Sequence, residues 1–212
     1  MDARSIVDVP EHELVELLLN DDLLRSMILS AGGARLESRI HFRVPSLELA
    51  PELGEDGDVD LLVCGNEEPH QAIAFEFKRV KIARHTFDTG SPNKLSAISK
   101  AVHQANALER IGFSTVVLGI LLVTDGRERV EFNFAFRGAS HDLLRTVDAA
   151  IDLSRLHVDV GVCRFEIVQP LDREFTMSGG ISAKAFRIPK IRLQRAELTR
   201  RIKLYESREA GA

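Results

Sequence analysis

Asp60, Glu76 and Lys78 are the residues whose types and spacing could do chemistry. Glu76 and Lys78 lie two apart in the run Ala72-Ile73-Ala74-Phe75-Glu76-Phe77-Lys78-Arg79-Val80, and residues two apart in a β-strand share a face. On a strand they project together beside Ala74, while Ile73, Phe75 and Phe77 line the opposite face as core. Charges on one face of such a strand either pair or line a cleft where charge is used. Asp60 stands near the start of a second short apolar run, Asp58 to Cys64, and the turn residues Gly65-Asn66-Glu67-Glu68-Pro69 predict that the two strands pair antiparallel. That pairing would bring Asp60 towards Glu76. Two converging carboxylates make a hard oxygen site suited to Mg2+ or Mn2+ rather than zinc. Such an ion activates water and neutralises a phosphodiester in its transition state, and a neighbouring lysine adds positive charge at the same centre. Phosphodiester hydrolysis is the reaction this set fits.

The elements that must position these residues can be read from hydrophobic period. Leu14, Leu17, Leu18, Leu24, Met27 and Ile28 predict helix from Glu11 to Ser30, either unbroken or interrupted near Asn20-Asp21-Asp22. Leu36 to Val44 alternates as a strand, with Ile40, Phe42 and Val44 on one side, and Pro45 closes it. Pro45 to Gly57 reads as a loop. Lys94 to Ile111 carries a helical stripe of Leu95, Ile98, Val102, Ala105 and Leu108 that stops at Gly112. Thr115 to Thr124 is a continuous apolar run, as a strand covered on both faces requires. A helix between two strands implies a crossover packed on the sheet. Further on, Arg129 to Arg137 reads as an edge or second-layer strand, Ser140 to Leu153 as a helix, Val160 to Val168 and Ala185 to Leu193 as strands, and Gln194 to Ser207 as a charged helix.

With those elements in order, the chain resembles the PD-(D/E)XK nuclease superfamily, the restriction-endonuclease-like fold. The matching residues are Asp60 in Gly57-Asp58-Val59-Asp60-Leu61-Leu62-Val63, the triplet Glu76-Phe77-Lys78, the helix bearing Gln104 and the apolar strand from Val116. The resemblance implies an α/β fold with a mixed central sheet flanked by helices, an α-β-β-β-α-β core over about residues 11–124 and a C-terminal α/β extension over 125–212 of one domain. It implies Asp60 and Glu76 as metal ligands, Lys78 as the catalytic lysine and Gln104 as an accessory polar group. It also implies an acid from the first helix, for which Glu16 and Glu13 are the candidates, with Glu37 on the first strand a weaker one. Val59 stands where the family pattern has proline. The expected function is metal-dependent cleavage of nucleic acid, DNA first. The alternative is a catalytically inactive nuclease-fold module that binds nucleic acid or a partner protein in a defence or repair assembly.

Composition bounds these readings. The chain has 212 residues, 44% hydrophobic and 28% charged, enough for a substantial core without staples. Its net charge of −4 argues against indiscriminate coating of nucleic acid. Basic residues nevertheless gather at Lys78, Arg79, Lys81 and Arg84, and again at Lys184, Arg187, Lys190, Arg192, Arg195, Arg200, Arg201, Lys203 and Arg208. Cys64 and Cys163 lack C-x-x-C spacing, and His41, His70, His85, His103, His141 and His157 show no zinc-like spacing, so neither a zinc site nor a disulfide is expected. No apolar stretch reaches the roughly 18 residues of a membrane span. A cytoplasmic protein is expected, with no membrane partner and with a homodimer or a partner protein left open. Plainer readings stand beside the catalytic one: Glu76 and Lys78 as an ion pair, Asp58 and Asp60 as turn residues, and Gln104 as ordinary helix surface.

Overall fold

The computed structural model describes residues 5–51, 57–65, 71–82, 92, 95–125, 139–169 and 181–211. At its centre is β4 (Thr115–Asp125), in which every residue is buried. Its apolar run has no polar face to offer water, so both sides must be covered. Around it, β1 (Arg39–Pro45), β2 (Asp58–Cys64), β3 (Ile73–Ile82), β5 (Gly161–Gln169) and β6 (Ile181–Arg187) make, among the described residues, a six-stranded sheet in the order β1-β2-β3-β4-β5-β6. The β1–β2, β2–β3 and β5–β6 pairs are antiparallel, whereas β3, β4 and β5 run parallel.

Helices cover both faces. On one side, α1 (Glu11–Leu19) and α2 (Asp22–Ala31) bury Leu14, Leu18 and Ile28 against Phe75, Phe77 and Leu121. The break between them is set by Asp21, whose side chain accepts from the Leu24 amide at 3.1 Å and caps α2. On the other side, α4 (Leu95–Ile111), α5 (His141–Ala149) and α6 (Ala196–Glu209) bury Ile98, Val102, Val147, Leu198 and Ile202 over Ala74, Val80, Leu118 and Leu122. Gly112 ends α4 at φ +101°, a conformation that costs glycine little. The molecule is thus α/β, with helices on both faces of a mixed sheet. Among the described residues, no helix is long and apolar enough to cross a membrane.

Several boundaries differ from the periodicity reading. A short helix α3 (Ser46–Leu49) sits inside the stretch expected to be loop. The first strand begins at Arg39 instead of Leu36. The last strand is Ile181–Arg187 rather than Ala185 to Leu193, because Ile188, Ile191 and Leu193 lie exposed beyond the sheet edge with no face to bury. The strand expected over Arg129 to Arg137 lies outside the described residues. β5 and β6, from the C-terminal extension, add to the same sheet as β1 to β4.

Candidate active site

β2 pairs with β3 only through Leu61↔Phe75, Leu62↔Ala74 and Val63↔Ile73, while β3 continues along β4 to Ile82. Beyond Phe75, the backbone amides on the β2-facing edge of β3 have no strand partner among the described residues, and buried amides need one. Carboxylates supply it. The Phe77 amide donates to Asp60 Oδ2 at 2.6 Å, and the Arg79 amide donates to Glu11 Oε2. Two acids are thereby held in the gap where the strands part.

Asp60 reaches this position through an irregularity in the outer strand pair. Phe42 and Leu61 pack in the layer under α1, but Val44 and Val59, each two residues away, pack in the layer under α4. Alternation reverses at Arg43, whose φ of +52° is left-handed and uncommon for a residue with a side chain. Val44 therefore does not share a face with Ile40 and Phe42, contrary to the simple alternation. Asp60 turns towards α1 and lines a small cleft with Glu11, Glu16 and Arg43.

Glu76 is 1% exposed, and among the described residues its Oε1 has no hydrogen-bond partner. Lys78 Nζ lies 3.8 Å from Glu76 Oε1 and 3.1 Å from Glu11 Oε1. The expected grouping of Glu76 with Lys78 is present, but the lysine's closer partner is Glu11. Burial and then the Asp60 charge push the Glu76 carboxyl well above the usual carboxylate range. Burial also raises Asp60 to about 6, against the Phe77 amide and Lys78, which favour its charge. For Lys78, burial works against the ammonium, yet Glu11 and Glu76 outweigh it and hold the pKa above the ordinary lysine value. A firmly charged lysine thus stands beside two carboxyl groups, Asp60 and Glu76, whose pKa values burial raises.

The first-helix acid seen in contact with Lys78 is Glu11, which was not among the expected Glu16, Glu13 and Glu37. Glu13 and Glu37 are exposed, and Glu16 lines the same small cleft as Asp60 and Glu11. The signal for Glu11 was present in the chain. Glu11 falls at i−3 and i−4 from the buried Leu14 and Val15, on the same stripe as Leu18 and Leu19, so a carboxylate there enters the interior with the apolar face. Glu13 and Glu16 lie off that stripe. Gln104 is exposed on α4 and lines, with Asp58, Glu76, His103 and Arg110, a cavity of about 220 Å3. It therefore faces the same space as Glu76 without belonging to the Glu11–Lys78 contact network.

The expected basic patches are largely neutralised. Arg79 is buried and reaches the Val7 carbonyl at 3.4 Å, so it belongs to the packing of the N-terminal segment. Arg192 pairs with Glu109 and lies 3.6 Å from Asp159, Lys190 pairs with Asp159, Lys184 with Asp148, and Arg208 with Glu48. Arg200 and Arg201 share Glu197. Arg84 lies outside the described residues.

An oxygen-rich donor set with a buried, unpartnered carboxylate oxygen fits a hard divalent cation, which would satisfy Glu76 Oε1 and remove the penalty on ionising Asp60. Comparison of the chain with protein-family models, with curated proteins and with solved structures found no match.

Proposed function

We propose that the protein is a divalent-metal-dependent nuclease built on a restriction-endonuclease-like core, with DNA as its substrate. The observation that carries this reading is the buried Glu76 oxygen without a hydrogen-bond partner, set beside Asp60 and a charged Lys78 where β2 and β3 separate. Asp60 and Glu76 would hold Mg2+ or Mn2+. When bound, such an ion supplies a Lewis acid and lowers the pKa of water.

The chain's own residues account for the rest. Lys78, kept protonated by Glu11 and Glu76, offers a fixed positive charge to a phosphoryl oxygen, and preorganised charge of this kind is worth most in a partly buried site. Glu11 is a positioning residue: one oxygen orients Lys78 and the other holds the Arg79 amide, so it locks the lysine to the β3 backbone. Asp60 is oriented by the Phe77 amide in the same manner. The cavity beside Glu76 gives solvent or a substrate strand an approach under α4.

Incubating the protein with single- and double-stranded DNA and Mg2+ or Mn2+ tests this directly. Cleavage is expected for the wild-type protein, with loss of a hundredfold or more in Asp60→Ala and in Lys78→Ala. Cleavage that survives both substitutions overturns the site. Salt-sensitive DNA binding without cleavage of any substrate supports instead a catalytically inactive nucleic-acid-binding module.

A further inference from the structure

The opposite end of β2 carries a second ligand set that the nuclease reading does not use. Cys64 on β2, His41 on β1 and Glu206 on α6 bring Sγ, a ring nitrogen and a carboxylate oxygen within 4.8 Å of one another. Cys64 is fully buried, and the His41 and Glu206 side chains are 18% and 12% exposed. His41 Nε2 lies 3.3 Å from Glu206 Oε1, the separation of about 3.3 Å that two ligands of one tetrahedral ion at roughly 2.0 Å would have. Arg39 Nη2 holds the other carboxylate oxygen, Glu206 Oε2, at 3.2 Å, and Tyr205 packs edge-on against the His41 ring at 5.5 Å. One carboxylate oxygen is thus directed to the cluster while the second is fixed by a cation, and the imidazole is steadied by an aromatic wall. This is how outer groups orient metal ligands.

We propose that His41, Cys64 and Glu206 form a binding site for a borderline-soft divalent metal, Zn2+ in the first instance, that fastens α6 to the β1–β2 edge of the sheet. The thiolate and imidazole donors separate this site chemically from the all-oxygen site at Asp60 and Glu76, since sulfur selects zinc-like ions and disfavours Mg2+. The three residues come from three elements, and His41 and Glu206 are 165 positions apart in the chain, so binding would couple the C-terminal helix to the strand pair that also presents Asp60. Without a metal, burial and the adjacent Glu206 push the Cys64 thiol up to about 12. Metal binding must therefore displace its proton, and the bond formed is metal–sulfur with that proton released to solvent. A fourth position is left for water.

The test uses the full-length protein stripped of metal and titrated with Co2+ or Zn2+ alone. Co2+ is expected to bind with one equivalent giving thiolate-to-Co2+ absorption in the near ultraviolet, and Zn2+ is expected to abolish that absorption by displacement. Cys64→Ser should remove the band although Cys163 remains, while His41→Ala and Glu206→Gln should each weaken Zn2+ binding at least tenfold. Zn2+ should also slow amide exchange in α6 of the wild-type protein. The double variant Asp60→Asn, Glu76→Gln should keep the thiolate band, so loss of the proposed nuclease site and loss of this one are read separately. A wild-type protein that gives no thiolate band at millimolar Co2+ overturns the proposal without recourse to any variant. So does a band that persists in Cys64→Ser, or Zn2+ affinity indifferent to both His41→Ala and Glu206→Gln.

Discussion

Asp60 accepts the Phe77 amide while its own charge is penalised by burial, and the two facts predict opposite effects on stability and activity. Its pKa is raised from the ordinary 3.8 to about 6, so below the lower value both folded and unfolded chains hold the proton and no penalty exists. As pH rises from 3.8 to about 6, the unfolded chain ionises first and the metal-free folded state loses stability; above 6 the penalty is complete, on the order of 3 kcal/mol at about 1.36 kcal/mol per unit. Asp60→Asn retains an oxygen acceptor for the Phe77 amide and removes the charge. In metal-free buffer it is expected to melt higher than wild type at pH 7.5, with the difference vanishing near pH 4, while cleavage falls by a hundredfold or more. Thermal melts across pH check the first part. Cleavage by the wild type should in turn decline below about pH 6 as protons compete with the cation for Asp60, and more Mg2+ should shift the midpoint lower.

Glu11 offers a second test at the same scale. Glu11→Gln keeps the shape of the side chain but removes the charge that helps to hold Lys78 protonated. The expected result is a loss of kcat with little change in KM, and a Lys78 pKa lower than in the wild type by NMR titration. An unchanged lysine pKa would contradict the positioning role.

Among the elements, β4 shows how closely the site is tied to packing. Gly119 lies opposite Phe77 in the parallel ladder, and a Cβ at this position would meet the Phe77 ring at 2.6 Å. Phe77 is the residue between Glu76 and Lys78, stacked on Phe75 at 5.6 Å. Gly119→Ala is therefore expected to cost about 1–3 kcal/mol through overpacking and, by shifting Phe77, to lower cleavage as well. Denaturant unfolding measures the first and kinetics the second. Leu121→Ala, in the same strand and in the layer shared with α1 and α2, is expected to cost about 2–5 kcal/mol through its cavity.

Across the whole molecule, the placement of charge matters more than its sum. The C-terminal cations that look in sequence like a phosphate-binding face are mostly engaged with Glu109, Asp148, Asp159, Glu197 and Glu48. Replacing Arg200 and Arg201 together by glutamine is expected to leave DNA affinity within about twofold and the salt slope nearly unchanged, since a cation already paired releases few counterions. Fluorescence anisotropy at several salt concentrations checks this.

The sequence alone determined the main strands and helices and the shared face of Glu76 and Lys78, because both rest on local periods. The two-residue repeat put Glu76 and Lys78 on one face of a strand, the helical repeat and Gly112 placed α4, and an unbroken apolar run marked β4 as buried. Tertiary structure decided what depends on strands parting and on partners far along the chain. The divergence of β2 from β3 brings Glu11 to Lys78, the left-handed Arg43 reverses the alternation before Asp60, and the folding of α6 against β1 sets Glu206 beside His41 and Cys64. Periodicity reports which way a side chain faces within its own element. It carries no information on where a neighbouring strand stops or which distant carboxylate fills the vacated edge, since those follow from how whole elements pack.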